Sequence, residues 1–179
     1  MEFRALELQG VWLATNPVHI DERGAFREWF RRENFRVASG IDFIVAQANC
    51  SVSQKNVLRG IHSSRAISGQ AKWVTCLSGS ILDVAVDLRK SSKSFGSHVM
   101  TRLDAKDNAS IFIPDGFGHA FFSLESETTV AYNLMSSYDP DLEFAINPLD
   151  KTLAINWPTD HLIMSERDKR APMLSDIFR

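Results

Sequence analysis

Two β-forming runs, residues 71–77 and 80–88, are separated only by Ser78-Gly79, and a two-residue break of that kind predicts a tight hairpin. In its simplest register Lys72 lies opposite Ala85, with Asp83 and Asp87 as diagonal neighbours within reach of a long side chain. Trp73, Thr75 and Leu77 then share a core face with Leu82, Val84, Val86 and Leu88. The other face sets a lysine among carboxylates, so it is either solvated or the wall of a pocket. A one-residue bulge at Gly79 would shift the register and void this pairing.

Short runs of the same kind fill most of the chain. Residues 5–18 alternate loosely, Asp21-Glu22-Arg23-Gly24 reads as a turn leading into a strand over residues 25–30, and residues 57–61 form an extended run ending on His62. Residues 43–53 alternate cleanly, with Ala46, Ala48, Cys50 and Val52 on one face and Gln47, Asn49, Ser51 and Ser53 on the other. Residues 97–103, 109–113, 118–124 and 128–134 are further strands. Against these stand one helix over residues 31–38, stopped by Ser39-Gly40, and a proline-broken tail with room for a short helix. Roughly ten short strands without a βαβ rhythm predict an all-β antiparallel sandwich or barrel. With no repeat and no linker in 179 residues, one domain over 1–179 is expected.

A net charge of −2 without a basic run gives no reason to expect a nucleic-acid partner. Cys50 and Cys76 are too few for a disulfide framework and sit among small and apolar neighbours, so both read as reduced core thiols. The opening MEFRALELQG lacks the apolar stretch of a secretory signal, and no run approaches a membrane span. A cytoplasmic protein is expected.

The polar candidates are few. His62 follows Arg59-Gly60 at a strand end, and His119 lies in GFGHAFF; each alone reads as a structural histidine. Together they raise the question of a metal. Neither has a histidine two residues on, and His19, His98 and His161 are scattered, which argues against the three-ligand sites of zinc or iron. Tyr132 and Tyr138 share parity if their strand runs unbroken. Asp168, inside SERDKR, reads as part of a solvated charge run, and Arg23, Arg59 and Lys72 are cations beside turns or on polar strand faces.

Eight stretches change this reading: DERGAFRE (21–28), QANCSVS (47–53), LRGIH (58–62), QAKWVTCLSGSILDVAVDLRKSSKSFG (70–96), IPDGFGHAF (113–121), AYNLMSSYDP (131–140), INWP (155–158) and SERD (165–168). In this order and spacing the chain resembles the dTDP-4-dehydrorhamnose 3,5-epimerase family over nearly its whole length. The resemblance implies a double-stranded β-helix jelly roll (cupin) with short flanking helices, free of metal and cofactor. It also implies a homodimer with swapped N-terminal strands and a substrate that is a nucleotide-diphospho-4-keto-6-deoxy sugar. Its reaction inverts carbons beside the ketone, in pathways to deoxysugars.

By the same resemblance His62 matches the base, Asp168 the carboxylate that orients it, Lys72 the residue at the keto oxygen, and Tyr132 the acid on the opposite face. Tyr138 matches an aromatic beside the sugar. Arg23, Phe26, Glu28, Gln47, Asn49, Arg59 and His119 match contacts to nucleotide, diphosphate or sugar. The chemistry asks for such a set. A C–H bond beside a ketone is a very weak acid, so its carbanion must be held as an enolate, and one oxyanion donor is typically worth about 3–4 kcal/mol. Lys72 fits that place, with Asp83 expected to hold its ammonium. A histidine base works near neutral pH, a phenol can return a proton from the other side, and arginine forks suit a diphosphate.

The chain departs from the family pattern at several points. Ser63 and Ser64 stand where an aromatic and a glutamine usually follow the histidine, GFGHAF replaces GFAHGF, Asn133 replaces the lysine after the tyrosine, and INPLD replaces a tryptophan-containing run. Altered walls beside base and acid predict inversion at one carbon, C3 or C5, rather than both. Other readings left open are a ketoisomerase or a metal-dependent enzyme on the cupin fold, and a non-catalytic sugar-nucleotide binding module.

Overall fold

The computed structural model describes residues 1–67 and 69–178. Its strands are β1 (Glu2–Ala5), β2 (Trp12–Thr15), β3 (Val18–Asp21), β4 (Gly24–Arg27), β5 (Gln47–Ser53), β6 (Leu58–Ser64), β7 (Lys72–Ser78), β8 (Ser80–Asp87), β9 (His98–Asp104), β10 (Ala109–Ile113), β11 (Phe117–Ser123), β12 (Thr128–Leu134) and β13 (Glu143–Ala145). Helix α1 (Arg32–Ser39) precedes β5, and two single-turn helices, α2 (Glu166–Lys169) and α3 (Leu174–Ile177), lie in the tail. The strands form an antiparallel six-stranded sheet ordered β1-β2-β10-β7-β12-β5, a five-stranded sheet ordered β13-β6-β11-β8-β9, and a separate β3–β4 hairpin. From β5 to β13 the chain alternates between the two large sheets at every step except β8 to β9. That is the winding of a jelly roll.

The alternation overturns the hairpin expected at Ser78-Gly79. β7 pairs with β10 and β12, and β8 with β9 and β11, so the two strands lie in different sheets. Gly79 is a corner, not a hairpin turn. Its φ is +73°, and a Cβ there would lie 2.5 Å from the Thr128 hydroxyl, so glycine alone lets the chain turn from one sheet to the other. Lys72 therefore faces Ile113 and Leu134 across the ladders, not Ala85.

Both faces of the central strands of each large sheet are covered, which explains why β7, β8, β10 and β11 carry few exposed residues. Between the sheets lie Val74, Cys76, Ile111, Ile113 and Val130 from one side and Ile81, Ala85, Leu103 and Phe121 from the other. The outer face of the six-stranded sheet packs Trp73 and Phe112 under Phe35 of α1 and Phe43. The outer face of the five-stranded sheet packs Ile61, Val84 and Val86 under Ile146, Leu153 and Leu174 of the tail. Each fully buried large side chain contributes about 1.5–3 kcal/mol.

α1 ends as expected: Gly40 adopts the left-handed conformation and its N–H bonds the Arg36 carbonyl at 2.9 Å, a common helix stop. Two strands are shorter than expected, since β4 stops at Arg27 and β5 begins at Gln47. Edge strand β5 reverses the expected sidedness. Its apolar residues Ala48, Cys50 and Val52 are exposed, and its polar residues point inward. Cys50 is thus an exposed thiol, not a core one. Cys76 is buried as expected, and burial pushes its pKa up to about 11.

Candidate active site

The polar inner face of β5 makes sense beside its neighbours, because it walls a cavity of about 560 Å³. Asn49, Arg59, His62, Lys72, His119, Tyr132, Tyr138 and Asp168 all line it. Residues from six of the eight motifs of the sequence are thereby gathered from both sheets and the tail.

Arg59 and His62 are three residues apart and should point to opposite faces of a regular strand. They share a face because β6 is irregular. Across β11, Arg59 pairs with Phe121 and His62 with His119, so β6 carries one residue more than its partner between those pairs. This is a bulge at Gly60-Ile61. Ile61 turns outward to full burial. A Cβ on Gly60 would lie 2.4 Å from the His119 carbonyl, a contact that no other residue type could make.

Asp168 reaches His62 across more than a hundred residues of sequence. The tail is pinned by a parallel bridge between Val57 and Ile163, with Leu58 N–H bonding the Ile163 carbonyl and Ile163 N–H the Asn56 carbonyl, both at 2.9 Å. Asn147, from the INPLD run, fixes its far side by bonding the Lys169 carbonyl at 3.1 Å. Ser165 then caps α2, accepting from Asp168 N–H at 3.1 Å. The single turn sends Asp168 inward while Glu166, Arg167 and Lys169 stay exposed, so the charge run is solvated on every side but one.

Asp168 Oδ1 lies 2.7 Å from His62 Nε2, and its other oxygen accepts from Gly60 N–H at 3.4 Å. Burial raises the Asp168 pKa, but hydrogen bonds from His62, Ser165 and Gly60 outweigh it and hold the carboxyl below its ordinary value. An ionised Asp168 selects the tautomer with the proton on His62 Nε2, which leaves the Nδ1 lone pair free. A second pair backs it: His119 Nε2 bonds Asp83 Oδ2 at 2.8 Å with Asp83 fully buried. Asp83 therefore serves His119 and does not hold the Lys72 ammonium.

Lys72 is held by other groups. Its Nζ donates to Gln70 Oε1 at 3.1 Å, the Gln70 amide donates to Glu143 at 2.7 Å, and Gln70 N–H bonds Asp115 at 2.8 Å. Burial lowers the Lys72 pKa to about 8 against the pull of Glu143 and Asp115. Tyr132 is raised by burial, with Asn49 and Arg59 acting the other way. Tyr138 leaves the strand, which ends at Leu134, and enters the cavity wall from a loop; its backbone N–H is held by Gln47 Oε1 at 2.7 Å.

Three expected contact residues stand apart. Arg23 pairs with Asp21 on the β3–β4 hairpin, Phe26 of that hairpin is 71% exposed, and Glu28 pairs with Arg31; none lines the cavity. Gln47 supports the wall without forming it. The substituted positions also lie off the cavity: Ser63 points away to bond the Phe117 carbonyl, Ser64 bonds Ala66 N–H, and Asn133 sits beside Trp73 on the far face of β12. The expected change of wall at these positions is therefore absent. Gln70, Glu143, Arg167 and Phe121 line the cavity and were missed. Parity with Lys72 in β7 was the available signal for Gln70. Among the described residues no three of His, Cys, Asp and Glu converge as a metal site.

A family model described as dTDP-4-dehydrorhamnose 3,5-epimerase matches residues 5–176. A dTDP-4-dehydro-6-deoxyglucose 3-epimerase of Streptomyces sp. is 43% identical over 175 residues, covering 97% of this chain and 89% of that protein. A dTDP-4-dehydrorhamnose 3,5-epimerase of Mycobacterium tuberculosis is 41% identical over 180 residues, covering 99% and 89%. Among solved structures, an epimerase of Mycobacterium tuberculosis superposes with a TM-score of 0.94 at 40% identity, covering 99% of this chain and 90% of that one. A 3′-monoepimerase of Streptomyces bikiniensis in complex with dTDP-quinovose gives 0.90 at 43% identity, covering 95% and 86%.

Proposed function

Because the chain belongs to the dTDP-4-dehydrorhamnose 3,5-epimerase family, we propose how its cavity carries out that family's chemistry. The protein is an isomerase that epimerises a dTDP-linked 4-keto-6-deoxy sugar beside its ketone. The observation that carries the reading is the meeting of a carboxylate-held imidazole, a buried ammonium and a phenol around one cavity.

In this reading His62 Nδ1 removes the proton from the carbon next to the ketone. The C–H electron pair moves into the enolate, and Lys72 stabilises the charge that forms on oxygen. Lys72 has three protons and gives one to Gln70, so the others are free for the oxygen. Tyr132 then delivers its proton to the opposite face of the same carbon, the enolate pair forms the new C–H bond, and the configuration is inverted. The resulting imidazolium and phenolate are reset through solvent. Arg59 and Arg167 at the cavity wall suit the diphosphate.

Arg23, Phe26 and Glu28 fit a second copy of the chain. Their hairpin exposes Ile20 and Phe26, and edge strand β5 exposes Val52, so a homodimer with exchanged N-terminal strands would cover both and bring an arginine and an aromatic to the partner's cavity. The whole of 1–179 is read as one cupin-type domain. No helix among the described residues is long and apolar enough to cross a membrane.

The test is incubation with dTDP-4-keto-6-deoxyglucose in deuterated water, followed at C3 and C5 by NMR. Deuterium with inversion at one or both carbons is expected, and a single inverted carbon would identify a mono-epimerase. Deuterium at neither carbon refutes the assignment.

A further inference from the structure

The amides of Gln47 and Asn49 form a directed chain between the Tyr138 loop and Tyr132. β12 and β5 pair so that Asn49 is directly opposite Tyr132 and Gln47 opposite Leu134. Side-chain amides normally can be turned either way, but here a main-chain donor fixes the direction. Tyr138 N–H can only donate, so the Gln47 atom it meets at 2.7 Å is the oxygen. Gln47 Nε2 is then the atom that meets Asn49, donating to its Oδ1 at 3.0 Å. What Asn49 has left for its cross-strand neighbour is the Nδ2 donor. Asn49 acts to lower the Tyr132 pKa against burial, as a donor to the phenol oxygen does.

We propose that Asn49 is a positioning residue for the proton-donating phenol, aimed by Gln47, and that together they decide whether a proton removed by His62 is returned to the opposite face. A phenol oxygen that accepts from Asn49 turns its own O–H away from β5 and toward the cavity. When that proton leaves, the same Asn49 N–H stabilises the phenolate. The proposal rests on the roles given above to His62 and Tyr132. It goes beyond substrate contact, because Gln47 does not line the cavity and acts only through its neighbour.

The consequence is a split between two measurements. His62 alone can exchange the substrate proton with solvent and return it to the same face; only the phenol inverts. Gln47→Glu keeps an acceptor for Tyr138 N–H but loses the donor to Asn49, so the Asn49 amide turns over and presents its oxygen to the phenol. Asn49→Asp removes the donor directly. Both variants, in deuterated water with dTDP-4-keto-6-deoxyglucose, should lose inversion about tenfold or more relative to deuterium exchange. Asn49→Ser, which adds no charge, replaces either variant that does not fold. Exchange and inversion falling together, or an unchanged ratio, overturns the proposal. Tyr132→Phe separates its failure from that of the parent reading: if this variant still inverts, the assignment of the acid is wrong, and if it exchanges without inverting while the amide variants behave as wild type, only the relay is wrong.

Discussion

Replacing Glu143 by glutamine should make the enzyme fail at a lower pH. The Lys72 pKa lies at about 8 because burial lowers it, and Glu143 is the first of two carboxylates that oppose the lowering. The bridge from ammonium through Gln70 to Glu143 consists of contacts of 3.1 and 2.7 Å, so the charges are roughly 8 Å apart or less, and at an effective dielectric of about 20 their attraction is ~2 kcal/mol. At 1.36 kcal/mol per pKa unit, losing it moves Lys72 down by about one unit or somewhat more. Glu143→Gln still accepts from the Gln70 amide, so the geometry is kept and only the charge is removed. The assay is kcat/KM against pH from 6 to 9.5 on dTDP-4-keto-6-deoxyglucose. The parent should decline about tenfold per unit above pH 8, and the variant from about pH 7. Stability runs the other way. The folded pKa lies below the ordinary 10.5, so the unfolded chain binds more protons between about 8 and 10.5, and the Lys72 penalty, fully present below pH 8, is relieved as pH rises through that window. Deprotonation of Lys72 therefore does not itself destabilise the fold. A limb that stays in place or moves upward in Glu143→Gln refutes the argument.

His62→Asn should abolish deuterium exchange into the substrate while dTDP binding stays within several-fold; retained exchange removes His62 as the base. Gly118→Ala restores the family's usual residue but places a Cβ 2.4 Å from Ile61 Cγ2, in a side chain with no exposed surface. It should cost about 1–3 kcal/mol, read as a lowered Tm, and an unchanged Tm would mean that β6 shifts freely there. Light scattering at micromolar concentration should give a dimer mass, and a monomer would leave Arg23 and Phe26 without the role given to them.

The strands were readable because their turns are marked by glycine and by short polar breaks, and β10 and β12 were placed to the residue. Pairing was not. Ser78-Gly79 is as good a sheet-changing corner as a hairpin turn, and local sequence does not separate the two. A hint was present: residues 73–76 and 84–86 are apolar or buried on both parities, whereas a hairpin with one wet face would alternate. β5 misled differently, since alternation reveals two faces but not which points inward, and here the polar one does because it lines a cavity. Asp168 was hidden in SERDKR because its burial comes from a segment pinned to β6, far away in sequence. The departures at Ser63 and Asn133 seemed to touch the chemistry because they adjoin His62 and Tyr132 in sequence, but neighbours along a strand face opposite ways.

The bulge in β6 gives the site a kind of protection. Gly60 has no partner in the register with β11, and its N–H turns instead to the second oxygen of Asp168. That donor belongs to the main chain, so no exchange of a neighbouring side chain can delete it; only a change at Gly60 itself, where a Cβ would meet the His119 carbonyl, would disturb it. The orientation of the carboxylate is thus exposed less to substitution than to insertion or deletion. Variation in chain length between Leu58 and His62 should be far less tolerated than variation in side-chain chemistry around them.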